Sequence, residues 1–218
     1  MEIINFADCP SLISRYMLEL RDVKIQQDSM RFRRNLVRIG NMMAFEISKR
    51  LNYETVKVQT PLGESTCHTF ADKIVLGTIL RAGLPLHQGF IDVFDYAENA
   101  FISAYRKYKE KGNDFDVIVE YLASPKIDNK VLMLIDPMLA TGLSMELAYK
   151  VMLSKGEPKH IHVASVIASS QAIEYIKTHL PADKTTIWVG AIDDELNSHS
   201  YIVPGLGDAG DLAFGVKE

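Results

Sequence analysis

An α/β fold built on a doubly wound, mostly parallel sheet is predicted by three observations. Short, continuous apolar runs recur at residues 74–80, 100–105, 117–122, 131–135, 161–167 and 186–189. Runs without polar alternation suit strands covered on both faces. Most are separated by helical stretches long enough for right-handed crossovers between parallel neighbours. The composition is that of an ordinary globular chain: 218 residues, 47% apolar and 24% charged, enough to bury a core without disulfides or structural metal. Residues 1–218 read as one domain, with a β-arm at about 52–70 and a C-terminal hood at about 190–218.

The remaining elements follow from local pattern. Phe32, Leu36, Ile39, Met43, Ile47 and Leu51 recur at steps of three and four, which predicts an amphipathic helix from about Asp28 to Leu51. Residues 54–70 alternate around Val56 and Val58, turn at Pro61-Leu-Gly63 and resume to Phe70, the pattern of a β-hairpin. The polar stretch 106–116 reads as a surface loop able to order over a ligand as a lid.

Charge narrows the function classes. A formal net charge of −4 gives no general attraction to nucleic-acid backbones. The cluster Arg31, Arg33, Arg34 and Arg38 falls on the polar side of the long helix and reads as a solvated face. Cys9 and Cys67 have no metal or redox spacing, which fits a reducing cytoplasm. The N-terminus lacks the pattern of a secretion signal, and no apolar run approaches a membrane span.

In Val131-Leu-Met-Leu-Ile-Asp-Pro-Met-Leu-Ala-Thr-Gly-Leu-Ser144 a buried strand ends in an acid-proline pair, passes through small residues and enters a helical pattern. Strand carboxyl ends border the ligand crevice of such sheets, and N–H groups at a helix start cradle phosphate. The Walker spacing and its lysine are absent. A helix merely capped by Thr141 or Ser144 is the structural alternative. Asp136, placed to accept hydrogen bonds from sugar hydroxyls, favours a ribose phosphate. At a second strand end, Thr78-Ile-Leu-Arg-Ala-Gly-Leu84 offers the planar donor fork of Arg81 to phosphate oxygens, beside Gly83, which permits close backbone approach. Arg106 closes a third apolar run. Gly205-Leu-Gly-Asp-Ala-Gly210 satisfies G-x-G-x-x-G, yet only eight residues follow it, too few for a dinucleotide fold. Glycine-rich backbone can instead meet the acceptor-donor-acceptor edge of a flat base.

These strings resemble the phosphoribosyltransferase family, and within it the uracil phosphoribosyltransferases. That family carries an I-L-R-A-G loop, a Y-R pair, an A-T-G loop after an acid-proline pair and a Y-I-V-P-G-L-G-D-A-G-D run, and they follow in that order here. The likeness extends to Phe32-Arg33 and Phe45-Glu46. It implies the phosphoribosyltransferase type of doubly wound sheet. It also implies transfer of phosphoribosyl from 5-phosphoribosyl-1-diphosphate (PRPP) to N1 of uracil, giving UMP and diphosphate, without a covalent nucleophile.

By resemblance, PRPP is bound by Arg81, Arg106, Asp136, Pro137, Met138, Leu139, Ala140, Thr141, Gly142, Leu143, Ser144 and Asp208, with Asp136 and Arg81 as orienting and electrostatic groups. Uracil is bound by Ile202, Gly207, Asp208 and Ala209, so that the hood is the base-binding segment. Mg²⁺ is implied, carried by substrate oxygens and water rather than by a protein cage, as is a homodimer or higher assembly formed through the β-arm. Two positions depart from the family pattern: Leu143 replaces a loop glycine, and Leu212 stands where a basic residue is usual.

Other polar residues read as structural. His160 and His162 share one face of a strand without a third ligand. His68, His87, His179 and His199 lie in unrelated contexts. Asp193-Asp-Glu195 reads equally as a solvated loop or a metal-binding patch. Two alternatives stay open at this level: a regulatory protein that keeps the PRPP fold without activity, and a transferase for another nucleobase.

Overall fold

The computed structural model describes residues 1–108 and 115–216, with side chains described outside 104–119. In chain order the elements are β1 (Glu2–Asn5), α1 (Leu12–Arg21), α2 (Ser29–Ser48), β2 (Tyr53–Thr60), β3 (Gly63–Phe70), β4 (Ile74–Ile79), α3 (Leu84–Ile91), β5 (Glu98–Tyr108) and β6 (Phe115–Ala123). There follow β7 (Val131–Ile135), β8 (Met138–Leu139), α4 (Leu143–Met152), β9 (His160–Ser169), α5 (Ser170–His179), β10 (Thr185–Asp193), β11 (Glu195–Leu196), β12 (Ile202–Val203) and α6 (Ala209–Phe214).

The main sheet runs β1-β10-β9-β7-β4-β5-β6, with the short β8 also on β9. Every pairing in it is parallel except β5 with β6. Because side chains alternate across a strand, β7 serves two cores at once. Val131, Met133 and Ile135 pack with Phe32, Leu36, Leu86 and Phe90 of α2 and α3. Leu132 and Leu134 pack with Met145, Ala148 and Met152 of α4 and with Ile173 and Ile176 of α5. Helices thus cover both faces, the doubly wound arrangement predicted from unbroken apolar runs.

The long helix begins where expected, with Asp28 Oδ1 accepting from Arg31 N at 3.0 Å as its N-cap. It ends at Ser48, three residues earlier than predicted. Leu51 is still buried, but beyond a final tightened turn in which Arg50 N bonds Ile47 O and Leu51 N bonds Ser48 O. Thr60 pairs with Gly63 across the Pro61-Leu62 turn of the hairpin, and β2 and β3 form a sheet of their own, largely exposed along both strands.

The polar stretch 106–116 needs correction at its ends. Arg106 pairs with Val117, Lys107 with Asp116 and Tyr108 with Phe115, so ladder continues where a loop was expected. The proposed lid otherwise falls on residues 109–114, outside the described residues. No described helix is long and apolar enough to cross a membrane.

Candidate active site

The chain leaves β4 through α3 toward β5, and leaves β7 through α4 toward β9, although β4 and β7 are neighbours. The carboxyl ends of β4 and β7 therefore flank the point where the winding reverses, the usual ligand crevice of an open α/β sheet. Thr78 lies opposite Ile135 in that pairing. Arg81 and Asp136 thus emerge on adjacent strand ends.

Asp136 N donates to Ala164 O at 3.1 Å, and Pro137 O accepts from both Val166 N and Ile167 N. These bonds interrupt the regular ladder between β7 and β8 and keep the start of the loop tied to β9. Burial pushes the Asp136 carboxyl up to about 7, opposed by the Met138 N–H at 3.4 Å. Asp136, Met138, Leu139, Ala140, Thr141, Gly142, Ser144 and Met145 line a cavity of about 70 Å³. Pro137 is buried behind it. The loop is pinned from outside, since Ser169 Oγ donates to Ala140 O at 2.5 Å while accepting from Ala172 N at 2.9 Å.

Gly142 has φ of +82° and stands as the N-cap of α4. A Cβ there would lie 2.9 Å from Tyr175 Cδ1 and 3.4 Å from Ala172 O. Leu143 is the first residue of α4 and is not among the residues of positive φ. Its side chain in place of the family's glycine therefore strains no left-handed backbone. Gly142→Ala combines left-handed strain of about 1–2 kcal/mol with this contact. The expected result is a lower melting temperature and a several-fold weaker affinity for ribose 5-phosphate by calorimetric titration. Unchanged values in both would remove Gly142 from the argument.

On the facing loop Arg81 Nη2 donates to Asp211 Oδ1 at 3.3 Å, with both side chains partly exposed. Gly83 proves necessary for packing within the protein: a Cβ would sit 2.3 Å from Thr78 Oγ1 and 2.7 Å from Ile79 O. The Arg106 backbone lies in β5, and its side chain lies outside the described residues.

The C-terminal segment closes the crevice. Ala209 N donates to Met138 Sδ at 3.2 Å, so the 136–144 loop and the C-terminal segment meet directly. Asp208 caps α6 by accepting from Asp211 N at 3.0 Å. Ile202 and Ala209 are buried while Gly207, with φ of +87°, is exposed. Leu212 lies near Gly207, its Cδ1 3.6 Å from where a Gly207 Cβ would stand.

Three residues anchor this segment, of which Arg21 and Gln26 belong to no motif and Arg33 belongs to the Phe32-Arg33 pair. Arg21 bonds Asp193 and Gly205 O, Gln26 Nε2 donates to Leu206 O at 3.2 Å, and Arg33 Nη1 donates to Ala213 O at 2.6 Å. Arg33 is thus not part of a solvated face. Asp193 is half of a charge pair rather than part of a loose acidic patch. His162 is likewise structural: Trp188 Nε1 donates to its Nδ1 at 3.1 Å, and burial lowers its pKa to about 3. His160 lies 3.0 Å from Thr186 Oγ1, at the opposite end of the strands from the loops.

An acid-headed phosphate loop and an arginine loop, facing each other across the winding reversal of this sheet, define a phosphoribosyl-transferring class of α/β enzyme. Comparison with known proteins narrows the class. A family model described as uracil phosphoribosyltransferase matches residues 10–216, and the chain belongs to that family. It is 60% identical over 217 residues to a uracil phosphoribosyltransferase of Porphyromonas gingivalis, spanning the full length of both. It is 38% identical to one of Pyrococcus furiosus, over 98% of this chain and 90% of the relative. Among solved structures, the AQ2163 protein from Aquifex aeolicus superposes with a TM-score of 0.83 at 29% identity, over 98% of each chain.

Proposed function

We propose that this chain transfers phosphoribosyl from PRPP to N1 of uracil at the crevice between the Arg81 and Asp136 loops, with the hood presenting the base. The observation that carries this reading is convergence: the hood touches both loops, through Ala209 N on Met138 Sδ and through the Arg81–Asp211 pair.

In this reading the N–H groups and hydroxyls of residues 139–144 hold the 5′-phosphate. Asp136 orients the ribose hydroxyls, and Arg81 and Arg106 take the diphosphate. Ile202, Gly207, Asp208 and Ala209 surround uracil. Positive charge develops at the anomeric carbon as the diphosphate departs, as in glycoside cleavage. The protein's contribution is to align N1 with that carbon, stabilise the departing charge and exclude water. Mg²⁺ bound with the substrates would supply positive charge to offset that of the leaving group, and Asp136 is the residue that would face it. The buried Asp136 carboxyl fits such a site, because burial disfavours its anion and a cation nearby would restore it.

The same reading makes the β2–β3 hairpin an arm toward a neighbouring copy, supported by its separate pairing and largely exposed strands. Two unpaired cysteines support a reducing cytoplasmic setting. Incubated with PRPP and Mg²⁺, the chain is expected to form UMP and diphosphate in equal amounts with uracil. Cytosine and hypoxanthine should give no nucleotide. Failure to form UMP from uracil overturns the assignment.

A further inference from the structure

A base recognised by backbone is recognised only if that backbone is held still. The hood's glycines allow its turns and confer no rigidity of their own. Gly207 has a positive φ, and so has Gly205, at +62°. A Cβ on Gly205 would lie 2.0 Å from Ile202 O, so the tight turn between Ile202 and Gly207 depends on Gly205.

That residue is gripped from both sides. Asp193 Oδ2 accepts from Gly205 N at 2.9 Å. Arg21 Nη1 donates to Gly205 O at 3.1 Å. The two side chains are joined by a two-pronged pair, Nη1 to Oδ2 at 2.7 Å and Nη2 to Oδ1 at 2.8 Å. Asp193 is 9% exposed and Arg21 26%, so the pair is shielded more than a surface ion pair. Burial raises the Asp193 carboxyl, but the Arg21 guanidinium and the Gly205 N–H outweigh it and hold it below the usual carboxylate range. The anchors are rigid at both origins: Arg21 ends α1 and Asp193 ends β10.

We propose that Arg21 and Asp193 are positioning residues for base recognition, which fix the Gly205 peptide so that the backbone from Ile202 to Ala209 keeps the spacing needed to bind uracil. The proposal rests on the function assigned above. It predicts a split between substrates, because the phosphate loop is pinned independently by Ser169. Asp193→Asn keeps the shape and loses the charge, and Arg21→Lys keeps the charge and loses the planar fork.

Steady-state kinetics of the full-length protein should show KM for uracil raised about 10-fold to 100-fold in Asp193→Asn, the scale on which small misplacements act. Arg21→Lys should fall between that variant and the wild type. KM for PRPP should rise several-fold less than KM for uracil in both, since neither residue meets the phosphate loop and Ser169 pins that loop separately. Equal rises in both KM values, or a rise in neither, overturns the proposal. Hydrogen exchange supplies a readout that needs no turnover. Faster exchange confined to residues 202–211 in Asp193→Asn supports the clamp, and unchanged exchange there overturns it. Absence of uracil turnover in the wild type would defeat the assigned function instead, leaving the exchange experiment to decide the clamp.

Discussion

Arg81→Ala is expected to lower kcat for UMP formation by about 10²–10³-fold while leaving the fold in place, the scale seen when one preorganised donor to developing negative charge is removed. The large effect on rate and the small effect on stability have separate causes. Among the described residues Arg81 meets one carboxylate oxygen, at 3.3 Å, with side-chain exposures of 39% for Arg81 and 30% for Asp211. A pair so open to water contributes at most about 1 kcal/mol. Under the proposed function the same guanidinium would face several diphosphate oxygens, whose charge grows as the C1–O bond to diphosphate breaks. Arg81→Lys keeps the charge without the fork and should recover only part of the loss. Initial rates of diphosphate release, measured beside thermal unfolding, check this. A decrease below about 10-fold, or one matched by unfolding at the assay temperature, would falsify the role.

Arg81 and Asp136 were legible in the sequence because each follows an apolar run within two residues, and strand ends are where a parallel sheet places its ligand. The 131–135 run was read at its observed bounds, since a strand buried on both faces has no polar residue to blur its limits. Arg21 and Asp193 were not legible as a pair. They stand 172 residues apart, and each has an ordinary local explanation, an arginine ending a helix and an acid among acids. Only the packing of α1 against the end of β10 brings them to one glycine. Arg33 was misread for a related reason. Its place on the polar side of α2 was correct, but helical periodicity does not show that α6 lies across that side and offers the Ala213 carbonyl. Leu143 shows the reverse case: the departure from the family's glycine was visible, while its consequence depended on whether the helix had already begun. It has.

Asp136→Asn should raise stability and abolish most activity, with the stability gain growing from about pH 4 and complete above about pH 7. Burial lifts the native carboxyl from its ordinary 3.8 to about 7. Between these values the native state holds a proton that the unfolded chain has released, so stability falls as pH rises through the window. Above pH 7 the native state carries the whole burden of a buried anion. At about 1.4 kcal/mol per pH unit, the cost reaches on the order of 4 kcal/mol. The amide does not titrate, so the variant should melt roughly 8–16 °C above the wild type at pH 8. The advantage should shrink to near zero by pH 4. An equal difference at both pH values would show that packing rather than charge is responsible. Activity should move the other way by about 100-fold or more, because under the proposed function the carboxylate would accept from two ribose hydroxyls where an amide offers a single acceptor oxygen. A ligand that favours the anion offsets its burial. PRPP with Mg²⁺ should therefore raise the melting temperature of the wild type by more than that of Asp136→Asn, and a larger rise in the variant would place the sugar elsewhere.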